Sequence, residues 1–156
     1  MPRWNKGSDA IERLLESSHL QRVPADGDTV AALIASARRH VVSASKSAAD
    51  DPEGAYSLAY DAARKTATAL LTHQGLRPTT AGGHISVIEA VNAQFPAVPG
   101  LKSIDRLRRR RNQAEYPEPT NYDPVTTEEA NDAIAVAEDC LTTATRLLEA
   151  PQLGVF

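Results

Sequence analysis

At 156 residues the chain is sized for one domain, and its 42% hydrophobic and 24% charged residues suit a globular protein rather than a disordered or fibrous one. No run approaches the ~18 apolar residues of a membrane span; a single cysteine, Cys140, excludes an intramolecular disulfide framework and a cysteine-cluster zinc site; and a formal charge of -3 argues against a general polyanion binder. Alanine, the best helix former, supplies roughly one residue in six, while aromatics supply 4%, so the expected fold is all-α.

In chain order, Met1 to Ala10 carries no apolar stretch behind Arg3 and Lys6, so no signal peptide is expected there. Asp9 and Glu12 have capping-box spacing for a first helix to about His19, with Ile11, Leu14 and Leu15 on one side. Val23 to Asp28 reads as a turn. A second helix starts near Asp28 or Thr29, carries Val30, Leu33, Ile34, Ala37, Val41, Ala44 and Ala48 at helical spacing, and ends near Asp50-Asp51-Pro52. The third runs from Pro52 to Gln74 behind Ala55, Leu58, Ala59, Ala62, Ala69 and Leu70, with Gly75 as its stop. Leu76 to Gly83 reads as a loop.

A fourth helix, His84 to Phe95, places Ile85, Ile88, Val91 and Phe95 on its apolar line, and a fifth spans about Lys102 to Glu115. Pro117 to Pro124 is extended. Thr126 and Glu129 have capping-box spacing for a last helix to about Ala150, striped by Ala130, Ala133, Ile134, Ala137, Cys140, Leu141, Ala144 and Leu148. Long helices with short connections imply an antiparallel bundle of five to six helices. The organisation expected is a short helix and linker over residues 1–27, the bundle over 28–150 and a tail over 151–156. Alanine-rich faces bury little apolar area, which points to further burial against a second copy or another protein.

The informative segment is Lys102 to Tyr116. Five arginines fall between Arg106 and Arg111, and six basic residues against Asp105 and Glu115 give a local charge of +4. At 100° per residue, Ile104, Leu107 and Ala114 define the inward stripe, and Arg111 falls within it. Arg108 and Glu115 flank that stripe, while Arg106, Arg109 and Arg110 are expected to face outward. A guanidinium cannot shed its proton, so at an inward position it needs a partner or an open cleft. One reading is an internal ion pair, with Glu115 at i,i+4 or with another helix. The other is a groove where Arg111 meets a phosphate in planar, bidentate fashion. Asn112 adds a donor and an acceptor, and Tyr116 a ring able to stack on a base.

Arg111-Asn112-Gln113-Ala114-Glu115-Tyr116 resembles the Arg-x4-6-His motif of HEPN domains (higher eukaryote and prokaryote nucleotide-binding), which sits on a late helix of an α-helical bundle. Ala59-Tyr60-Asp61-Ala62-Ala63-Arg64-Lys65, then Ala69-Leu70-Leu71, Gly75, Arg77 and Gly83-His84, is similar to the long helix and following loop of small bacterial HEPN proteins. The resemblance covers about residues 51–150. It implies a homodimer with Arg111 and Tyr116 near the dimer cleft, and a phosphate or RNA role for Arg111. Catalytic HEPN proteins cut RNA without metal, using histidine where this chain has Tyr116. A phenol that titrates near 10 is a poor general base at neutral pH. The resemblance therefore implies a non-catalytic or weakly active module that binds RNA or a nucleotide, or docks a nucleotidyltransferase, in a toxin–antitoxin or phage-defence setting. The alternatives are a metal-independent endoribonuclease and an interaction scaffold without a nucleic-acid role.

His84 is expected to make a helix-start or loop-to-core contact; packed near Arg111, it would supply an imidazole. The site residues expected are thus Arg111 and Tyr116 as the catalytic pair, if there is catalysis, with Arg108, Asn112, Glu115 and His84 in binding roles. His19, His40 and His73 form no ligand pair, so no metal or cofactor is expected. Cys140 reads as a buried thiol, Tyr56 and Tyr60 as packing or interface residues, and Tyr122 as a possible site of modification by a partner nucleotidyltransferase. Acidic residues opening the last helix, Glu128, Glu129 and Asp132, suit its dipole and screen the arginines of the fifth. A cytoplasmic location is expected.

Overall fold

The computed structural model describes residues 3–156, so the first two positions of the N-terminal segment lie outside the described residues. Among the described residues there are six α-helices: α1 (Ser8–Glu16), α2 (Gly27–Ser47), α3 (Pro52–His73), α4 (Gly83–Gln94), α5 (Ile104–Glu115) and α6 (Thr127–Glu149). The architecture is the expected helical bundle. None of its helices is long and apolar enough to cross a membrane.

The long third helix is central. It packs chiefly against α2 and α6, and more lightly against α5 and α4. Its alanines explain why it can take so many neighbours: Ala55, Ala59, Ala62, Ala63, Ala67 and Ala69 are fully buried, and their small side chains let helices approach closely. One line of α3 remains half-exposed, through Ser57, Asp61, Arg64, Lys65 and Thr68.

The helix ends follow local chemistry. Asp26 caps α2, its carboxylate accepting from the backbone N–H of Asp28 at 3.0 Å and of Thr29 at 3.3 Å, which starts the helix slightly earlier than the spacing suggested. Asp51 caps α3 with Pro52 in the first turn, and Gly75, at φ +75°, follows its end. Thr126 and Glu129 form the full capping box predicted for α6.

Four expectations are corrected. Asp9 and Glu12 form no capping box, because α1 begins at Ser8 behind Gly7 and Asp9 already lies inside the helix. Gly7 takes φ +70° against the backbone of Ala93, where a Cβ would come within 2.8 Å. The stretch after Gly75 is not wholly loop: Leu76–Pro78 (β2) pairs antiparallel with Leu20–Arg22 (β1), Leu20 opposite Pro78. The fifth helix opens with a 3-10 turn, Leu101–Ser103. Ile85, placed on the apolar line of α4, is 59% exposed, while Ser86 and Val87 turn inward instead.

The core is continuous. Ile11, Leu14 and Leu20 from the N-terminal segment and Leu153 from the last residues join the same cluster as the long helices. Phe156 N–H bonds to the carbonyl of Gln74, and Trp4 N–H to that of Val155, so Trp4 pairs with the C-terminal residues, which lie against the end of α3.

Candidate nucleic-acid interface

Ile104 and Leu107 are fully buried and Ala114 nearly so, which sets the rotation of α5 against α3. That rotation carries Arg111 inward as its spacing requires. Its side chain is 25% exposed, and its guanidinium lies over the ring of Tyr60 on α3, 5.9 Å from the centroid. Glu115 pairs with it at 3.0 Å, and Asn112 Oδ1 accepts from Nη1 at 3.4 Å. The i,i+4 ion pair that the sequence allowed is therefore present. With Arg ahead of Glu it has the weaker orientation, worth a few tenths of a kcal/mol. The Nε of Arg111 is buried without a partner among the described residues. Leaving such a donor unmet costs about 1–3 kcal/mol, more than the local pair returns.

Tyr60 links Arg111 to a second group. Its hydroxyl lies 3.1 Å from Nδ1 of His84, which opens α4. The tyrosine is fully buried, and that burial pushes its phenol up to about 12, so it stays protonated at neutral pH. A phenol O–H is a donor in need of an acceptor, and neutral imidazole offers one at Nδ1. Donation from that O–H to Nδ1 would leave the neutral ring's proton on Nε2. The His84 pKa is lowered, by burial first and then by Arg64, with Arg111 and Arg108 acting in the same direction and Asp61 opposing them. His84 therefore stands at a helix start, as expected, and meets Arg111 only through the intervening Tyr60 ring.

Arg108 is half-buried at 20% side-chain exposure and bonds Asp105 through Nε at 2.9 Å. Asp105 also holds Arg109, at 2.7 Å. Arg106 and Arg109 face outward as expected, but Arg110 does not. Its side chain is only 14% exposed, clasped by Glu129 at 2.9 and 3.2 Å and by the carbonyl of Asp123 at 3.1 Å. This corrects the outward placement: the loop before α6 folds back over α5 and gives Arg110 acceptors that helical periodicity cannot reveal. Arg106 pairs with Asp132 at 3.0 Å, so the acidic start of α6 does screen the arginines of α5.

Tyr116 caps the C-terminus of α5 and is 77% exposed. It shares no bond with Arg111 among the described residues. It lines a polar recess of about 290 Å3 with Arg110, Gln113, Glu118, Asn121 and Asp123. Tyr122 is also exposed. Cys140 is fully buried, and burial pushes its thiol up to about 12, which suits an inert core residue.

The HEPN domain family matches residues 30–148, covering α2 nearly entire, α3 to α5 and almost all of α6. The chain belongs to the HEPN family. No curated protein and no solved structure matches it. Within this HEPN domain the Arg-x4 segment lies on α5, against the central α3; Asn112 and Glu115 contact Arg111 there, Arg108 pairs with Asp105, and His84 reaches Tyr60 from the start of α4. No group of His, Cys, Asp or Glu side chains suited to a metal ion occurs among the described residues. Sequence reasoning gave Tyr60 a packing or interface role and Arg64 no role in the site. The available signal was a tyrosine and an arginine four residues apart on an alanine-rich helix, which share one face.

Proposed function

We propose that this HEPN domain binds a phosphate group of RNA or of a nucleotide at Arg111, and that it is non-catalytic or weakly active. The observation that carries this reading is Arg111 itself, a half-buried guanidinium over an aromatic ring whose Nε, among the described residues, is unmet and whose ion partner there is a same-helix carboxylate. Arg108 and His84 add donors beside it, and Asn112 orients its fork. Tyr116, exposed at the helix end, offers a face for a base rather than a proton acceptor. The sole imidazole of the cluster is tied at Nδ1 to a phenol, which leaves Nε2 as a donor. Such a site holds an oxyanion more readily than it removes the proton of a ribose hydroxyl.

The wider setting belongs to the same proposal. A homodimer would bring two such sites together across a cleft, and a nucleotidyltransferase partner fits a toxin–antitoxin or phage-defence role. The test is binding of a labelled oligoribonucleotide across a salt series. Affinity that falls steeply with salt, drops in Arg111→Ala and comes without cleavage in EDTA supports the reading. No measurable affinity at low salt rejects it.

A metal-independent endoribonuclease is the second reading, favoured by the position of His84 beside Tyr60 and Arg111. Cleavage in EDTA that disappears in both Arg111→Ala and His84→Ala would establish it.

A further inference from the structure

The half-exposed line of α3 carries a second guanidinium with the same peculiarity as Arg111. Arg64 stands one helical turn beyond Tyr60, on the same face. Its side chain is 21% exposed, its Nε is buried without a partner among the described residues, and its one ion partner is Asp61 of its own helix, at 3.5 Å. That contact is long for a charge-assisted hydrogen bond. Two arginines on different helices, each with a buried Nε lacking a partner and, among the described residues, an ion pair only within its own helix, thus lie one over the Tyr60 ring and one a turn along α3 from it. Burial is the largest influence on both Tyr60 and His84, and among the charged groups around them Arg64 comes first for each, ahead of Arg111. The central helix thus adds a positive group of its own to this spot, beside Arg108 and Arg111 of the motif helix and partly offset by Asp61.

We propose that Arg64 is a second phosphate-binding arginine, closing with Arg111 on a single phosphate oxyanion whose third donor is Nε2–H of His84. The proposal rests on the phosphate-binding reading of Arg111 and extends it to a residue outside the motif. A phosphate offers its oxygens to several forks at once, which the local carboxylates, each held by its own helix turn, do not. Lys65 continues the line, with Nζ at 2.8 Å from Ser36 Oγ and 3.1 Å from His40 Nε2, so the positive strip runs on toward α2 along a path suited to a strand.

The experiment measures the affinity of an oligouridylate of about 12 nucleotides from about 50 to 200 mM salt, for the wild type and for Arg64→Gln, Arg64→Lys, Arg111→Gln and the Arg64→Gln/Arg111→Gln pair. Arg64→Gln should weaken binding about tenfold and lower the salt slope by less than about 0.7, because Arg111 still neutralises the phosphate the two arginines share. Arg64→Lys keeps the charge but not the fork, so the slope should return while affinity recovers only in part. Because both arginines hold one group, the double variant should lose less than the product of the single losses. Displacement of the oligonucleotide by uridine 5′-monophosphate at equal phosphate concentration assigns the clamp to a free nucleotide, and resistance to displacement assigns it to a strand.

Wild-type affinity and slope in Arg64→Gln, with Arg111→Gln impaired, overturn the proposal and leave the reading of Arg111 intact. A wild type without salt-dependent binding overturns both. If Arg64→Gln fails to fold, as judged by circular dichroism, Arg64→Lys decides. Reduced affinity at an unchanged slope supports the clamp, and unchanged affinity means that Arg64 only shapes the fold.

Discussion

Tyr60 and His84 meet across 24 residues of chain, phenol oxygen to Nδ1 at 3.1 Å, and that bond occupies Nδ1 and leaves Nε2 outside it. It joins the central helix to the start of α4 directly beneath the guanidinium of Arg111. In Tyr60→Phe the ring and its packing remain but the donor is gone. We expect the fold to persist with a loss of about 1 kcal/mol, and His84 to redistribute between its two neutral tautomers. Nitrogen-15 chemical shifts of the His84 ring check this; a ring already divided between tautomers in the wild type contradicts the assignment.

Acidification should act in opposite directions on stability and on RNA affinity. His84 and His40 both have pKa values lowered by burial, His40 further by Lys65. Near pH 6.5, the ordinary value for histidine, the folded state therefore binds fewer protons than the unfolded chain. Stability is fully present above about 6.5 and declines as pH falls toward the depressed folded values. Glu129 and Asp26, held low by their hydrogen bonds, lose their contributions only below their ordinary values of 4.5 and 3.8. Melting temperatures between about pH 7.5 and 5 should fall, and the His40→Gln/His84→Gln double variant should flatten that slope.

A bound phosphate reverses the sign for His84, because an anion at Nε2 favours the imidazolium. Oligonucleotide affinity should rise as pH falls through about 6.5, and this rise should vanish in His84→Gln. Affinity independent of pH between about 7.5 and 5.5 would place His84 outside the site.

Arg110 is a structural residue within a run of apparent surface arginines. Its two bonds to Glu129 and one to the carbonyl of Asp123 hold the loop before α6 against α5. Glu129 also completes the cap of α6, so the two interactions are coupled. With Glu129 partly exposed, solvent screening keeps the value modest: Arg110→Ala should cost about 1–2 kcal/mol in denaturant unfolding. Arg109→Ala, at a side chain 72% exposed, should cost under about 0.5 kcal/mol.

Ile85 neighbours His84 and exposes most of its side chain, a feature that a dimer cleft beside the site would cover. Burying such a side chain contributes about 1.5–3 kcal/mol, so Ile85→Glu should weaken self-association at least tenfold. Sedimentation velocity across the micromolar range reads this directly. A wild type that sediments as a monomer throughout removes the dimer from the proposal.

Restoring histidine tests the missing base. If Tyr116→His cleaves RNA in EDTA while Tyr116→Phe does not, the cleft is competent and lacks only a group that titrates near neutrality. Should Tyr116→His bind RNA as the wild type does and leave it intact, the exposed helix end is too far from the bound phosphate for proton transfer.

The sequence by itself determined the long helices, the capping box of α6 and the inward turn of Arg111, because these depend on spacing along one chain. Thr126 with Glu129, Pro52 behind Asp51, and Ile104 with Leu107 are patterns read within a few residues, and they set α6, α3 and the rotation of α5. Tertiary structure alone decided the rest. Only the fold brings Arg64 and Tyr60 to His84, returns the loop at Asp123 over Arg110, pairs Leu20 with Pro78 and leaves Ile85 uncovered. Each of these joins residues far apart in the chain, through burial and hydrogen bonds that periodicity does not encode. Charge density drew attention to α5, but which of its arginines sit in ion pairs and which keep an unmet donor depends on what the neighbouring helices place opposite them.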